Sequence, residues 1–283
     1  MLYFEGAKTL KPTCLGQVVK GQDGAIRDGL LYRFTAKGRC FVYDLPGLEL
    51  LGEFTLDKAD LLCPHSNAVF FWENGVLYTN IYNNYAKEAD RLEGVCCAYR
   101  ITRDADGFRS QLLQVIRVNF VHTPLWQSDN GQDVRPYGNF VADGESLYAF
   151  VMRDETHTTR FFRFPLPPIT AGETDATWGV PVVRLKAEDI RQQFDRDYVN
   201  FMQGAICHKG LLYSVEGFTY PNERDARPVL RVFDLQKEKQ VFCQDLTELG
   251  LSNEPELVDV VGDVLYYVNH DGQVYRLDFA AEG

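Results

Sequence analysis

The sequence predicts an all-β fold, a five-bladed β-propeller closed by an N-terminal strand that completes the last blade. Three observations lead to this prediction. One strand pair recurs five times, a tight glycine-rich turn precedes the second strand of each copy, and helical periodicity is nearly absent. The copies centre on Leu31-Tyr32, Leu77-Tyr78, Leu147-Tyr148, Leu212-Tyr213 and Leu265-Tyr266. Five blades of roughly forty to fifty residues fill the 283-residue chain as a single domain.

The spacing of the copies divides the chain into blades at about 21–56, 64–119, 136–186, 200–246 and 257–279. The fifth copy offers only three strands, so its outer strand is predicted within 13–20, which leaves no sheet edge open. An insertion at 165–181 delays the outer strand of the third blade. The segment 185–198 is the one stretch predicted as a short helix.

Composition and charge exclude several classes of function. A net charge of −11 without a basic stripe disfavours nucleic acid as a partner. No apolar run is long enough to insert in a membrane. Seven cysteines without regular spacing, and no visible signal peptide, favour a cytoplasmic location. A secreted or cell-surface location stays open if a leader was removed, and the sequence does not indicate an oligomeric state.

Loop lengths indicate which face of the propeller carries function. Turns between the first and second strands are uniformly tight, whereas the connections that emerge on the other face are long and varied. Examples of the long connections are 82–94, 122–135 and 217–228. Such a one-sided distribution is typical of a rigid scaffold that presents a binding surface. Neutral drift of surface loops is the alternative.

Polar residues at the starts of the innermost strands are predicted to converge at the mouth of the central channel. Histidine, amide and carboxylate groups there could bind a sugar through its hydroxyls or hold a metal, or they could simply line a wet channel. Aromatic residues of the long loops could stack on sugar rings or form small loop cores. The predicted ligand-binding residues are His65, Asn67, Tyr82, Trp126, Tyr137, Asn139, Gln203, Tyr220, Glu254 and Glu256, with Arg27 and Asp28 as candidates from the first blade.

An enzymatic reading uses the same face. Glu254 and Glu256 are two residues apart, so in an extended segment they point the same way. Either could act as an acid and His65 as a base, although a glycosidase normally takes its two carboxylates from different elements. The other histidines fall in separate loops and turns, a spacing that indicates no zinc site. No cofactor is predicted, and a divalent cation such as calcium is possible.

Three short motifs, each ahead of a Leu-Tyr strand, resemble a known family. They are His65-Ser66-Asn67, Gln203-Gly204 and Glu254-Pro255-Glu256. In order and setting they resemble the five-bladed propellers of bacterial teichoic acid biosynthesis protein C and of some phage receptor-binding proteins. The resemblance implies that channel-mouth residues recognise or process a cell-surface glycan.

The leading hypothesis is therefore a ligand-binding propeller that recognises a carbohydrate or cell-surface glycan at the channel mouth. One alternative is a glycoside hydrolase or polysaccharide lyase that uses the same face. The other is a protein-interaction scaffold, which would present a flat, apolar loop face.

Overall fold

A computed structural model describes residues 2–62, 64–72, 74–82, 92–126, 138–153, 158–197, 202–217 and 227–281, with the backbone alone at Tyr82. Within these ranges the chain forms five separate sheets of mainly antiparallel strands. This arrangement confirms the predicted five-bladed β-propeller. The repeated Leu-Tyr pairs lie in the second strand of each sheet, where the leucine is fully buried.

Each blade consists of four neighbouring strands numbered from the axis outward, and the second blade has two more. Blade 1 contains β2 (Gly24–Arg27), β3 (Leu30–Phe34), β4 (Arg39–Asp44) and β5 (Leu50–Thr55). Blade 2 contains β6 (His65–Phe71), β7 (Val76–Tyr82), β8 (Val95–Asp104) and β9 (Gly107–Val118), extended outward by β14 (Pro181–Leu185) and β13 (Glu173–Thr174).

The other three blades have four strands each. Blade 3 contains β10 (Gly138–Asp143), β11 (Ser146–Arg153), β12 (Thr158–Pro165) and β15 (Gln192–Asp197). Blade 4 contains β16 (Met202–His208), β17 (Leu211–Glu216), β18 (Val229–Asp234) and β19 (Lys239–Asp245). Blade 5 contains β20 (Pro255–Val261), β21 (Val264–Asn269), β22 (Gln273–Ala280) and the N-terminal strand β1 (Thr9–Gln17).

The N-terminal strand closes the ring as predicted. It pairs antiparallel with β22, from Thr9 opposite Ala280 to Gln17 opposite Gln273. The strand begins earlier than the predicted segment 13–20, because Leu10 is buried beside Phe279 in the core between blades. This pairing covers the edge that β22 would otherwise expose.

The third blade differs from its prediction. The described part of the segment 185–198, residues 185–197, is not an α-helix, since a single 3-10 turn at Ala187–Asp189 is followed by β15. Phe194 of this strand pairs with Phe161 of β12 and stacks on it at 5.0 Å. The insertion before it leaves the blade and adds β14 in parallel to β9 of blade 2. Tertiary packing of Phe194 therefore overrides the helix-like spacing of apolar residues.

Helix is scarce. The described residues contain the short helix α1 (Ala59–Leu62) and 3-10 turns at Ala36–Gly38, Ala187–Asp189 and Leu246–Leu249. In the part of the chain that the structure describes, no helix has the length and apolar character needed to cross a membrane.

The innermost strands pack directly on one another around the axis. Gly204 of β16 shows how tight this packing is, because a Cβ atom at this position would lie 2.4 Å from the carbonyl oxygen of Glu256 on β20. We call the end where the innermost strands begin the upper mouth. The end where they finish, at tight turns such as Asp143-Gly144 and Lys209-Gly210, is the lower mouth.

Candidate functional site

Polar side chains gather at the upper mouth because every innermost strand begins there and every second strand ends there. The antiparallel pairing brings the two kinds of strand end together, as in His65 opposite Tyr82 and Pro255 opposite Asn269. The polar residues of this region are Asp23, Arg33, His65, Asn67, Asn80, Asn139, Gln203, Glu254, Glu256 and His270. All five blades contribute to this set.

Gln203 and Gly204 connect blade 4 to blade 5. The Gln203 amide donates from Nε2 to Glu254 Oε1 at 2.7 Å and to the carbonyl of Gly217 at 3.1 Å. The missing side chain of Gly204 lets the backbone of Glu256 approach. The Gln-Gly and Glu-Pro-Glu motifs are thus two halves of one contact, and both lie at the start of an innermost strand.

Glu256 and His270 form a hydrogen-bonded pair of ionisable side chains at the upper mouth. His270 Nδ1 lies 2.9 Å from Glu256 Oε1, and the backbone N–H of His270 donates to the carbonyl of Glu254 at 2.8 Å. Glu256 is only 2% exposed, and burial raises the pKa of its carboxyl to about 7. The hydrogen bond with Glu256 raises the pKa of His270. Each group of the pair therefore holds its proton to a higher pH than it ordinarily would.

His65 stands at the start of β6, on the blade 2 side of the mouth. Burial, and to a lesser extent the nearby His270, lowers the pKa of its imidazole to about 4. His65 is consequently neutral at physiological pH. Two histidines from different blades thus face one mouth, one neutral and one protonated more readily than usual.

Buried charges of blade 1 form the floor of the site. Arg33 is 0% exposed and donates to the carbonyls of Gly21 at 2.9 Å, Asn269 at 2.7 Å and Gln22. Asp23 accepts from the backbone N–H groups of Gly24 at 2.7 Å and Val69 at 2.8 Å. Burial raises the pKa of Asp23 well above its ordinary value.

Asparagines continue the site toward blade 3. Asn67 and Asn80 are paired in register on β6 and β7, and Asn80 Nδ2 donates to Asn139 Oδ1 at 3.0 Å. All three residues are buried. Asn67 and Asn139 therefore belong to the walls of the channel, below the more accessible His65, Glu254 and His270.

The structure brings together only part of the predicted ligand-binding set. His65, Asn67, Asn139, Gln203, Glu254 and Glu256 all lie at the upper mouth, whereas Tyr137, Tyr220 and the side chain of Tyr82 lie outside the described residues. Trp126 is a correction to the predicted aromatic wall. It is fully buried, stacks on Phe162 at 5.8 Å and donates from Nε1 to Glu93 at 3.1 Å.

Arg27 and Asp28 are a second correction. They stand at the end of β2 and in the turn after it, so they line the lower mouth. The contribution of blade 1 to the upper mouth comes instead from Asp23 and Arg33. The sequence contains the signal for Asp23, because Asp23-Gly24 stands at the start of the first strand of its blade as Gln203-Gly204 does in blade 4.

His270 is the third correction, because its place in a separate turn does not separate it from the site. It follows β21 directly, and second strands end at the upper mouth. His270 lies five residues after Leu265, so the position of the Leu265-Tyr266 pair would have predicted His270 at the upper mouth. Arg33 has no comparable signal, since a charged residue inside a strand is ordinarily exposed.

A cavity of about 570 Å³ opens at the lower mouth. Its lining includes Arg27, Asp143, His208, Lys209 and Asp259. Asp259 accepts from the backbone N–H groups of Ile26 at 2.5 Å and Val260 at 2.7 Å, so its carboxylate connects blades 5 and 1. These contacts are structural, and the lower mouth lacks a cluster like that of Glu254, Glu256 and His270 among the described residues.

The chain is thus a five-bladed propeller with a polar site at one mouth of its axis. Its fold is similar to that of a glutaminyl cyclase from Myxococcus xanthus, with a TM-score of 0.54, 9% sequence identity and coverage of 98% of this chain and 97% of that one. A Thermus thermophilus protein assigned as an oxidoreductase (glucose dehydrogenase) aligns with a TM-score of 0.47, 11% identity and coverage of 95% and 100%. BamB from Moraxella catarrhalis aligns with a TM-score of 0.36, 8% identity and coverage of 93% and 59%.

The first of these likenesses shows the propeller fold and nothing finer, because identity is low. No protein-family model matches the sequence, and no curated protein gives a significant match. The resemblance to teichoic acid biosynthesis protein C and phage receptor-binding proteins stays a prediction.

Proposed function

We propose that this protein is a ligand-binding propeller that recognises a carbohydrate, such as a cell-surface glycan, at the upper mouth. One observation carries the proposal. His65, Glu254 and His270 form a partly exposed polar rim above buried Gln203 and Glu256, and hydrogen bonds already hold this arrangement in place. Sugar hydroxyls both donate and accept hydrogen bonds, so a preformed set of imidazole, amide and carboxylate groups suits them.

A glycan array followed by calorimetry on the full-length protein tests the proposal. Binding of a glycan is expected to weaken at least tenfold in Gln203→Ala and in His65→Ala, because each removes a side chain of the mouth. His208→Ala is the control, since His208 is a partly buried histidine at the opposite mouth. Loss of binding in the control alone, or no binding to any glycan, would refute the proposal.

Acid–base catalysis on a polysaccharide is a second candidate, favoured by the Glu256–His270 pair. A carboxyl whose pKa is raised to about 7, hydrogen-bonded to an imidazole, can give or take a proton at neutral pH. A hydrolase or lyase would then show a bell-shaped pH profile. Glu254 and Glu256 lie on one side of the mouth, within 4.8 Å of each other at their ligand atoms, so they do not flank a bond as glycosidase carboxylates do.

The enzyme hypothesis is tested by incubating the protein with a panel of polysaccharides and measuring new reducing ends and unsaturated products. Glu256→Gln should abolish any turnover, whereas His208→Ala should leave it unchanged. Turnover that persists in Glu256→Gln excludes this pair as the acid and base.

A protein-interaction scaffold has less support in the described residues. Their exposed large hydrophobic residues are Phe4, Leu15, Leu50, Leu51 and Leu61. These lie in the N-terminal segment, on outer strands and in α1. The described part of the upper face is polar, and a flat apolar surface is what a scaffold would need.

A further inference from the structure

Two carboxylates and an imidazole meet at the rim of blade 5. Glu254 immediately precedes β20, Glu256 lies on it and His270 follows β21, and one potential ligand atom from each falls within 4.8 Å of the others. We propose that Glu254, Glu256 and His270 bind one divalent transition-metal ion, of the zinc class, at the upper mouth.

The separation of Glu256 and His270 suits a shared ion. His270 Nδ1 and Glu256 Oε1 are 2.9 Å apart. Two ligands at the usual zinc distances of about 2.0–2.1 Å would have this separation at a ligand–metal–ligand angle of roughly 90°. An ion bound by both atoms would therefore require little movement of either side chain. Metal binding at such a site releases protons from its ligands.

The donor atoms select the class of metal. Calcium takes six to eight oxygen ligands, and here one of three side-chain donors is an imidazole nitrogen. Imidazole and carboxylate together are the usual ligands of zinc and its neighbours in the first transition row. The site therefore favours zinc over the calcium ion that the sequence left possible.

The ligands are held by a second layer of contacts, which distinguishes the site from a loose acidic cluster. Gln203 donates to Glu254 Oε1 at 2.7 Å, and the His270 backbone N–H donates to the Glu254 carbonyl at 2.8 Å. A bulge between Pro255 and Leu257 interrupts the strand register at Glu256. Such outer contacts orient first-layer ligands and increase metal affinity.

Three further ionisable groups stand near the proposed ligands. Asp23 places a third carboxyl group near Glu256, and Arg33 places a guanidinium there. His65 faces His270 from blade 2. A neutral imidazole there does not repel an ion. Solvent or a bound ligand would complete the coordination.

The inference goes beyond glycan recognition and does not depend on it. The test uses zinc chloride alone, without any glycan, on full-length protein first treated with a chelator and then freed of it. Because Cys14 and Cys243 are exposed thiols that could bind zinc, the titration is made in a Cys14→Ser/Cys243→Ser background. Calorimetry is expected to show one zinc ion per chain and an affinity at least tenfold higher than for calcium or magnesium.

His270→Ala and Glu256→Gln should each weaken zinc binding at least tenfold, and His208→Ala should leave it unchanged. His270 is 40% exposed at its side chain, so its variant retains a folded protein for the measurement even if Glu256→Gln does not. Thermal unfolding checks the fold of each variant. Absence of saturable zinc binding in the background protein, equal binding in His270→Ala, or a preference for calcium would each overturn the proposal. A negative glycan array would leave it standing.

Discussion

At the residue scale, the upper mouth is unusual for the charges it buries. Arg33 and Glu256 are almost inaccessible. A buried charge persists only when neighbouring groups compensate for lost hydration. Arg33 meets this need with three carbonyl acceptors and two nearby carboxyl groups. The floor of the site is thereby fixed before any ligand arrives.

Arg33→Met should lower the free energy of unfolding by about 3–5 kcal/mol, because it leaves buried carbonyls and carboxyl groups without their cation. Urea denaturation measures the change. Arg39→Met is the matched control on the same blade, since Arg39 pairs with Glu53 on the surface, and its loss should cost no more than about 1 kcal/mol. Equal effects of the two substitutions would show that Arg33 is not a buried anchor.

Asp259 gives the stability of the fold a dependence on pH. Burial raises the pKa of its carboxyl from 3.8 to about 7. Above pH 4 the unfolded chain loses this proton while the folded chain keeps it, so stability from this group falls as pH rises toward 7. The slope is about 1.4 kcal/mol per pH unit for one proton.

Asp259→Asn should therefore make the decline in unfolding free energy between about pH 4 and 7 shallower by up to that amount. Denaturant titrations at several pH values measure the slope. Asp278→Asn on β22 is the control, because the pKa of Asp278 is lowered rather than raised, and it should not reduce the decline. An unchanged slope in Asp259→Asn would mean that this carboxyl does not hold its proton in the folded state.

Residue-level prediction from sequence succeeds where a side chain occupies a repeated position and fails where its role comes from packing. His65, Gln203 and Glu256 are placed at the channel mouth because each lies at the start of an innermost strand, and their role in ligand binding stays a prediction. Trp126 is assigned to a ligand wall because it lies in a long loop, whereas packing against Phe162 removes it from the surface.

At the scale of elements, the N-terminal strand joins the two ends of the chain into one blade. Leu10 is 2% exposed and packs into the core, while Leu15 on the same strand is 39% exposed. Closure therefore depends on a side chain at one end of β1 and not at the other.

Leu10→Ala should destabilise the protein by about 2–5 kcal/mol through the cavity that it leaves between blades. Leu15→Ala, a matched control on the same strand, should change stability by no more than about 0.5 kcal/mol. Chemical denaturation of both variants supplies the comparison. If Leu15→Ala were the more damaging, β1 would be turned the other way on the edge of blade 5.

Elements are predictable from sequence when strand period and turn residues agree. The five Leu-Tyr strands meet this condition. The missing outer strand of blade 5 is predicted instead from the three strands that the fifth copy offers, and it begins at Thr9 rather than within 13–20. The segment 185–198 does not meet the condition, because its apolar spacing fits a helix while its place is set by Phe161 and by the insertion that adds β14 to blade 2. Such contacts between distant parts of the chain leave no local pattern.

At the scale of the whole molecule, radial repetition is what creates the site. Residues as far apart in sequence as Asp23 and His270 meet because five sheets surround one axis. The innermost strands of these sheets all begin at the same end. The sequence predicts the ring, and with it which strand starts become neighbours. It does not predict which of those side chains are buried, since burial depends on how tightly the innermost strands close.

The central claim is that this closure assembles one site at the upper mouth. Crystals of the full-length protein grown with zinc chloride, and an anomalous difference map recorded at the zinc edge, test it most directly. The account predicts five radial sheets and one strong peak about 2.0–2.2 Å from His270 Nδ1 and a Glu256 carboxylate oxygen. Peaks confined to Cys14, Cys243 or other surface groups, or sheets in another arrangement, would contradict it.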